Sequence, residues 1–172
     1  FIWSLGLLFE TLSITNEQGF SVLKFYYSGI CYSGLAWLIF CLCYSNSRFF
    51  LKKKVIFSIA IVPTLLYLSL LTNELHHLFY YSTESGRHFG ILLWVLIVFS
   101  YICVIAGTFI LIRYTVRSNT LKRNQTILVI FSAVVPLIFN AMFLIFKFSI
   151  EITPFSFIIS AILFLIASYK YS

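Results

Sequence analysis

The sequence predicts an all-α, polytopic membrane helix bundle in which six spans are visible. Three observations carry that expectation. Mean hydropathy is +1.01, only 10% of the 172 residues are charged, and apolar runs of about 20 residues recur along the chain. No soluble domain of this size tolerates that composition. A closed β-barrel would alternate apolar and polar residues in short segments, whereas these runs are apolar on every face and therefore read as helices.

The first run covers about Phe1 to Thr15, short of the roughly 20 residues a span needs. Its polar positions Gly6, Glu10, Ser13 and Glu17 recur at helical spacing, which turns a polar stripe into the bundle. Asn16 to Gly19 reads as a turn. The second run extends from about Ser21 to Tyr44, with Tyr26 and Tyr27 near its start as interface anchors or pocket walls. A basic connection, Ser45 to Lys54, carries Arg48, Lys52, Lys53 and Lys54. The third run, about Val55 to Thr72, contains Pro63, a kink that membrane helices tolerate.

Between the third and fourth runs lies the most polar stretch of the chain, Thr72-Asn73-Glu74-Leu75-His76-His77-Leu78-Phe79-Tyr80-Tyr81 and its continuation to Gly90. It holds all 3 histidines. The fourth run, about Phe89 to Tyr114, is long enough to tilt or protrude. A second basic connection, with Arg113, Arg117, Lys122 and Arg123 in or beside it, leads to a fifth run, about Asn124 to Phe146, containing Pro136 and Asn140. After a short loop the sixth run begins near Pro154, a favoured first-turn residue, and ends near Tyr169.

The net charge of +7 does not point to nucleic acid, because the basic residues fall in alternate connections. With Lys170, the two basic connections hold nine of the 12 Lys and Arg residues, against Lys24, Arg87 and Lys147 on the other side. That asymmetry places both connections and the carboxyl terminus in the cytoplasm. All five carboxylates then lie in the outer half or outside. Cys31, Cys41, Cys43 and Cys103 fall inside apolar runs and read as small buried residues rather than a metal or disulfide set; Cys41 and Cys43 point to different faces of their helix. The amino-terminal run lacks a basic flank and a small-residue cleavage pattern, so it does not read as a signal peptide.

With this topology, polar groups gather at one depth. Asn73, His76 and His77 stand at the outer end of the third run. Glu10 lies about 7–8 Å below the outer end of the first, and Asn140 about 9 Å below that of the fifth. Intramembrane polar groups are costly and mark a site or a buried interhelical bond. An outward-facing pocket is therefore expected, lined by Glu10, Asn73, His76, His77 and Asn140, with Tyr26, Tyr27, Phe79 and Trp94 as aromatic walls. Such a lining suits a small amphipathic or lipid-like ligand, and His76 has the chemistry to respond to acidity. Each residue also has a plainer reading. Glu10 and Asn140 serve equally as interhelical hydrogen-bond partners, Asn73 as a helix-end cap, and the histidines as headgroup-level residues. Adjacent histidines do not share a helix face, so at most one points into a pocket.

Trp3-Ser4-Leu5-Gly6 with Glu10, Tyr27-Ser28-Gly29-Ile30 and Ile61-Val62-Pro63 form a pattern in their order and spacing. Asn73-x-x-His76-x-Leu78-Phe79, Gly90 with Trp94, Tyr101, Val135-Pro136 to Asn140 and Ile152-Thr153-Pro154-Phe155 continue it. Together they resemble the amino-terminal seven-transmembrane region of bacterial histidine kinases, across essentially the whole chain. The resemblance implies that the six visible spans are the second to seventh of seven. It also implies a single transmembrane sensor domain over residues 1–172 in the bacterial cell membrane. Its last helix would continue into a cytoplasmic, usually dimeric, output domain that this sequence does not contain. The expected partners are membrane lipid, an outer-side ligand and a second copy through the output domain, with no nucleic acid. No catalytic residue, metal ligand or cofactor is expected in the chain. Two other functions compete. An intramembrane metal-dependent hydrolase using His76 or His77 with Glu10, Glu74 or Glu151 lacks any H-x-x-x-H or H-E-x-x-H spacing. A small-molecule transporter would require polar groups at the midplane and an internal repeat.

Overall fold

The computed structural model describes residues 9, 16–46, 53–83, 86–146 and 153–170. Along them run α1 (Asn16–Tyr44), α2 (Lys53–Leu71), a single turn α3 (Asn73–His76), β1 (Tyr80–Thr83), β2 (Gly86–Phe89), α4 (Ile91–Arg117), α5 (Thr120–Phe146) and α6 (Thr153–Lys170). The fold is the expected all-α membrane bundle with one addition, a two-stranded antiparallel hairpin.

Four described helices are long and apolar enough to cross a membrane, over Lys24–Tyr44, Lys53–Leu71, Ile91–Arg117 and Thr120–Met142. In α6 the apolar stretch is shorter, Phe155–Tyr169. Apart from Phe9, the first expected span lies outside the described residues. At most 33% of any candidate span is buried within the protein, and side chains such as Phe57, Ile105 and Val116 are exposed. Those faces are satisfied by lipid, since helical backbone needs no outside partner.

Three boundaries differ from expectation. The turn foreseen at Asn16–Gly19 is helix from Asn16 onward; Asn at a helix start and Glu in its first turn both suit a helical amino terminus. The second basic connection is almost entirely helical: α4 runs on to Arg117 and α5 begins at Thr120, leaving Ser118 and Asn119 between them. Leu, Lys, Arg and Gln are good helix formers, so charge there does not imply a loop. Finally, Phe89 ends β2 rather than starting α4.

The chain divides into two compact units, 1–107 and 108–172. In the first, α1 and α4 run parallel in close contact. A Cβ on Gly34 would stand 2.8 Å from the Ser100 Cα, and one on Gly107 would stand 3.0 Å from the Cys41 Sγ and 3.3 Å from the Leu38 Cα. Small residues at such crossings replace the hydrophobic drive that lipid removes. Tyr32 on α1 donates to the Thr64 hydroxyl on α2 (2.8 Å), which donates in turn to the Ala60 carbonyl (2.7 Å). That bridge sits beside the buried Pro63. The core of the unit comprises Tyr26, Cys31, Leu66, Leu70, Phe79, Tyr80, Leu93 and Leu96, and so lies at the hairpin end of the helices.

In the second unit α5 packs against α6, and six residues of connection make the pair antiparallel. Buried Thr126, Ser132, Ser156 and Ala167 are all small. The Thr126 and Ser132 hydroxyls donate to their own helix, to the Lys122 and Val129 carbonyls (both 2.7 Å), which satisfies these buried donors locally. Cys31, Cys41 and Cys103 are buried as expected; Cys43 is exposed, the opposite face of α1 from Cys41.

Candidate functional site

The polar stretch between α2 and α4 folds into a closed knot at the mouth of the first unit. α2 ends at Leu71, the chain makes the single turn α3, and His77 takes the left-handed conformation with φ 51°. Its N–H donates to the Asn73 carbonyl at 2.7 Å. This reverses the chain so that Phe79 and Tyr80 return past Asn73, which is only 2% exposed.

Asn73 is the centre of the knot. Its Oδ1 accepts from the Phe79 N–H (2.8 Å) and the Tyr80 N–H (3.2 Å), and its Nδ2 donates to the Tyr80 carbonyl (2.9 Å). One carboxamide thus satisfies three backbone groups that the reversal would otherwise leave buried and unpaired. The other side of the same segment is held by the start of α4. The Gly90 N–H donates to the Phe79 carbonyl (2.8 Å) and the Leu92 N–H to the Leu78 carbonyl (3.1 Å). A Cβ at Gly90 would lie 2.1 Å from the Leu78 oxygen, so only glycine permits this approach.

His76 braces the knot from beside it. The Leu78 N–H donates to its Nδ1 (3.0 Å), and its Nε2 lies 3.0 Å from the Ser69 carbonyl. An amide N–H only donates and a carbonyl only accepts, so the pair of contacts selects the Nε2–H tautomer. From Phe79 the chain enters the hairpin, in which Tyr80 pairs with Phe89 and Tyr81 with His88. Tyr81 and His88 stack at 5.4 Å.

α1 reaches the knot through aromatic and ionic contacts. Tyr27 meets Phe79 and Tyr80 edge-on, with centroids 6.0 and 5.9 Å apart; such arrangements are the favoured ones for aromatic pairs. The Tyr27 and Tyr80 hydroxyls are hydrogen-bonded to each other, and Tyr26 is buried in the core beneath them. At the rim, Lys24 Nζ donates to Glu74 Oε1 at 2.6 Å. That hydrogen bond, together with the ammonium charge, holds the Glu74 carboxyl below its usual range. A depressed carboxyl stabilises the fold above the ordinary carboxylate range and loses that contribution as pH falls through the depressed value. Because Glu74 is exposed, screening keeps the effect small. Melting curves should show Glu74→Gln slightly below the parent at pH 7 and level with it in strong acid; a gap that widens in acid would contradict the pairing.

The structure therefore brings together Tyr26, Tyr27, Asn73, Phe79 and, beside them, His76. His77 is exposed, as is Trp94 on α4. Asn140 belongs to the second unit, where it is half-buried, and Glu10 lies outside the described residues. The residues that sequence reasoning overlooked are Tyr80, Gly90, and Lys24 as partner of Glu74. Among the described residues, no three His, Cys, Asp or Glu side chains gather as a metal-binding set.

No curated protein and no solved structure matches the chain. A family profile does, and over its whole length: residues 1–172 match the N-terminal 7TM region of histidine kinase. With its apolar helices and the knot at their mouth, the chain belongs to the family of N-terminal 7TM regions of histidine kinases.

Proposed function

We propose that the chain is the transmembrane input region of a sensor histidine kinase of a two-component system, and that it reads a small amphipathic or lipid-like molecule at the hairpin end. The single observation that carries this reading is the knot itself. A polar segment is folded back over the mouth of three helices and held there by Asn73, with hydroxyl, imidazole and ion-pair groups around it. Polar and aromatic groups convergent on an apolar frame are what an amphipathic ligand requires. The chain performs no catalysis of its own in this reading; phosphotransfer belongs to an output domain that dimerises in the cytoplasm.

The charge asymmetry supports an orientation with the basic connections and the carboxyl terminus cytoplasmic, and the hairpin outside, in the bacterial cell membrane. Ligand binding acts by favouring one of two packings of the helices, to the extent that it binds them unequally. Tyr27, Tyr80 and the Lys24–Glu74 pair are the contacts through which α1 would report the change.

The test uses the full-length kinase in intact cells. A cysteine replacing Ser85, between β1 and β2 in the sequence, should react with an impermeant thiol reagent, and the adduct should shift autophosphorylation relative to the parent. One replacing Ser118 should resist the reagent. Labelling at Ser118 from outside would invert the topology, and an unchanged output after full labelling at Ser85 would remove the hairpin from the signalling path.

A further inference from the structure

We propose that the turn joining α4 to α5 is a binding site for the phosphate headgroup of an anionic phospholipid. Four cations, Arg113, Arg117, Lys122 and Arg123, crowd into it, and all four are exposed. Arg113 and Arg117 are four residues apart and so share a face of α4. Lys122 and Arg123 stand in the first turns of α5, after a connection of only Ser118 and Asn119. That turn is tightly built. The Ser118 N–H donates to the Thr115 carbonyl (3.2 Å), the Ser118 hydroxyl to the Tyr114 carbonyl (2.8 Å), and the Arg123 N–H to the Asn119 carbonyl (2.8 Å). Along the chain the two cationic pairs stand five residues apart, from Arg117 to Lys122.

Among the described residues none of the four pairs with a carboxylate, the ion pair there being Lys24–Glu74. Residues 108–172 contain one carboxylate side chain, Glu151, which lies outside the described residues. The positive-inside preference accounts for the sign of this cluster, and an anionic headgroup would supply the neutralising charge.

Depth selects the source. The apolar span of α4 runs directly into Arg113 and Arg117, and the Arg113 guanidinium lies over the exposed Phe109 ring, 5.9 Å from its centroid. Because α5 and α6 are antiparallel, Tyr169 stands at this same end of the unit, 85% exposed, where aromatic residues mark the headgroup level. A lipid phosphate sits at that level already, with its acyl chains against Phe109 and the outward faces of α4. Each basic residue near an anionic surface strengthens binding about fivefold.

The experiment measures lipids retained by the full-length protein after transfer from mixed phosphatidylglycerol and phosphatidylcholine nanodiscs into detergent, by native mass spectrometry. The protein is expected to retain phosphatidylglycerol selectively. Arg113→Gln with Arg117→Gln should weaken that selectivity roughly 25-fold, while Arg113→Lys with Arg117→Lys preserves most of it. Lys53→Gln with Lys54→Gln removes as much charge from the other basic connection and should leave it intact. Melting curves confirm that each variant is folded. Equal retention of both lipids by the parent would overturn the proposal. So would an equal loss in the Lys53 and Lys54 variant, or displacement of phosphatidylglycerol by inorganic phosphate, which would mark a site for a soluble anion.

Discussion

Asn73→Ala is expected to cost about 3–5 kcal/mol, enough to unfold the hairpin end of the first unit in detergent. The figure follows from what the carboxamide does: its removal strands the Phe79 and Tyr80 N–H groups and the Tyr80 carbonyl, all held by Asn73. A buried polar group left without a partner costs about 1–3 kcal/mol, and a small side chain cannot admit three waters in its place. Asn73→Asp distinguishes this mechanism from a simple loss of packing. Aspartate still accepts from both N–H groups but sets an anionic oxygen against the Tyr80 carbonyl, so it should melt between alanine and the parent near neutral pH. Hydrogen exchange would show the damage at Phe79 and Tyr80 first. If Asn73→Ala melts with the parent, the side chain is not the centre of the knot.

Gly90→Ala is expected to be nearly as severe, at about 2–4 kcal/mol. Its methyl group would meet the Leu78 carbonyl and then the Phe79 carbonyl carbon at 2.9 Å, and both are backbone atoms fixed by hydrogen bonds to Gly90 and Leu92. Overpacking of about this size is costly when the neighbour is unable to move. Gly107→Ala provides the contrast. There the nearest atom is the Cys41 sulfur at 3.0 Å, on a side chain able to give by a few tenths of an ångström, and the loss should stay near 1 kcal/mol. Folded yield and melting temperature in nanodiscs measure both. Equal melting of the two variants would show that the approach at Gly90 is looser than its geometry.

The helices were legible in the sequence because lipid imposes one requirement, a long apolar run, that composition displays directly. The ends of α1, α2, α5 and α6 near the basic and polar connections fell within a few residues of expectation for that reason. The start of α5 did not, since Lys122 and Arg123 read equally as loop or as solvated helix until Ser118 and Asn119 are seen to turn the chain. The hairpin left a fainter trace. Its strands are four residues long, and the connecting pair Glu84–Ser85 lacks the Asn-Gly or Asp-Gly chemistry that marks a tight turn. Asn73 was visible as a polar residue at a helix end, and capping was the local explanation. Its actual partners lie six and seven residues on, brought back by a left-handed His77 that no local pattern announces. The joint placement of Tyr26, Tyr27 and Phe79 was anticipated from depth alone. Depth says nothing of azimuth, however, so it did not separate them from Trp94, which stands exposed on α4.

The contacts that close the knot are near neighbours in the chain. Asn73 to Tyr80 spans 7 residues, Phe79 to Gly90 eleven, and Leu78 to Leu92 fourteen. Tyr27 to Tyr80 spans 53 and Lys24 to Glu74 spans 50. Closing a loop of about fifty residues costs about 1 kcal/mol more chain entropy than closing one of fourteen. The knot is thus local in the chain: the backbone groups that Asn73, Gly90 and Leu92 hold all lie within residues 69–93. What α1 adds is long-range: Tyr26 and Cys31 in the buried core, a hydroxyl pair, ring edges and one solvated ion pair. On the proposed reading, a stimulus at this end would meet a locally closed collar and a helix joined to it by contacts some fifty residues apart in the chain.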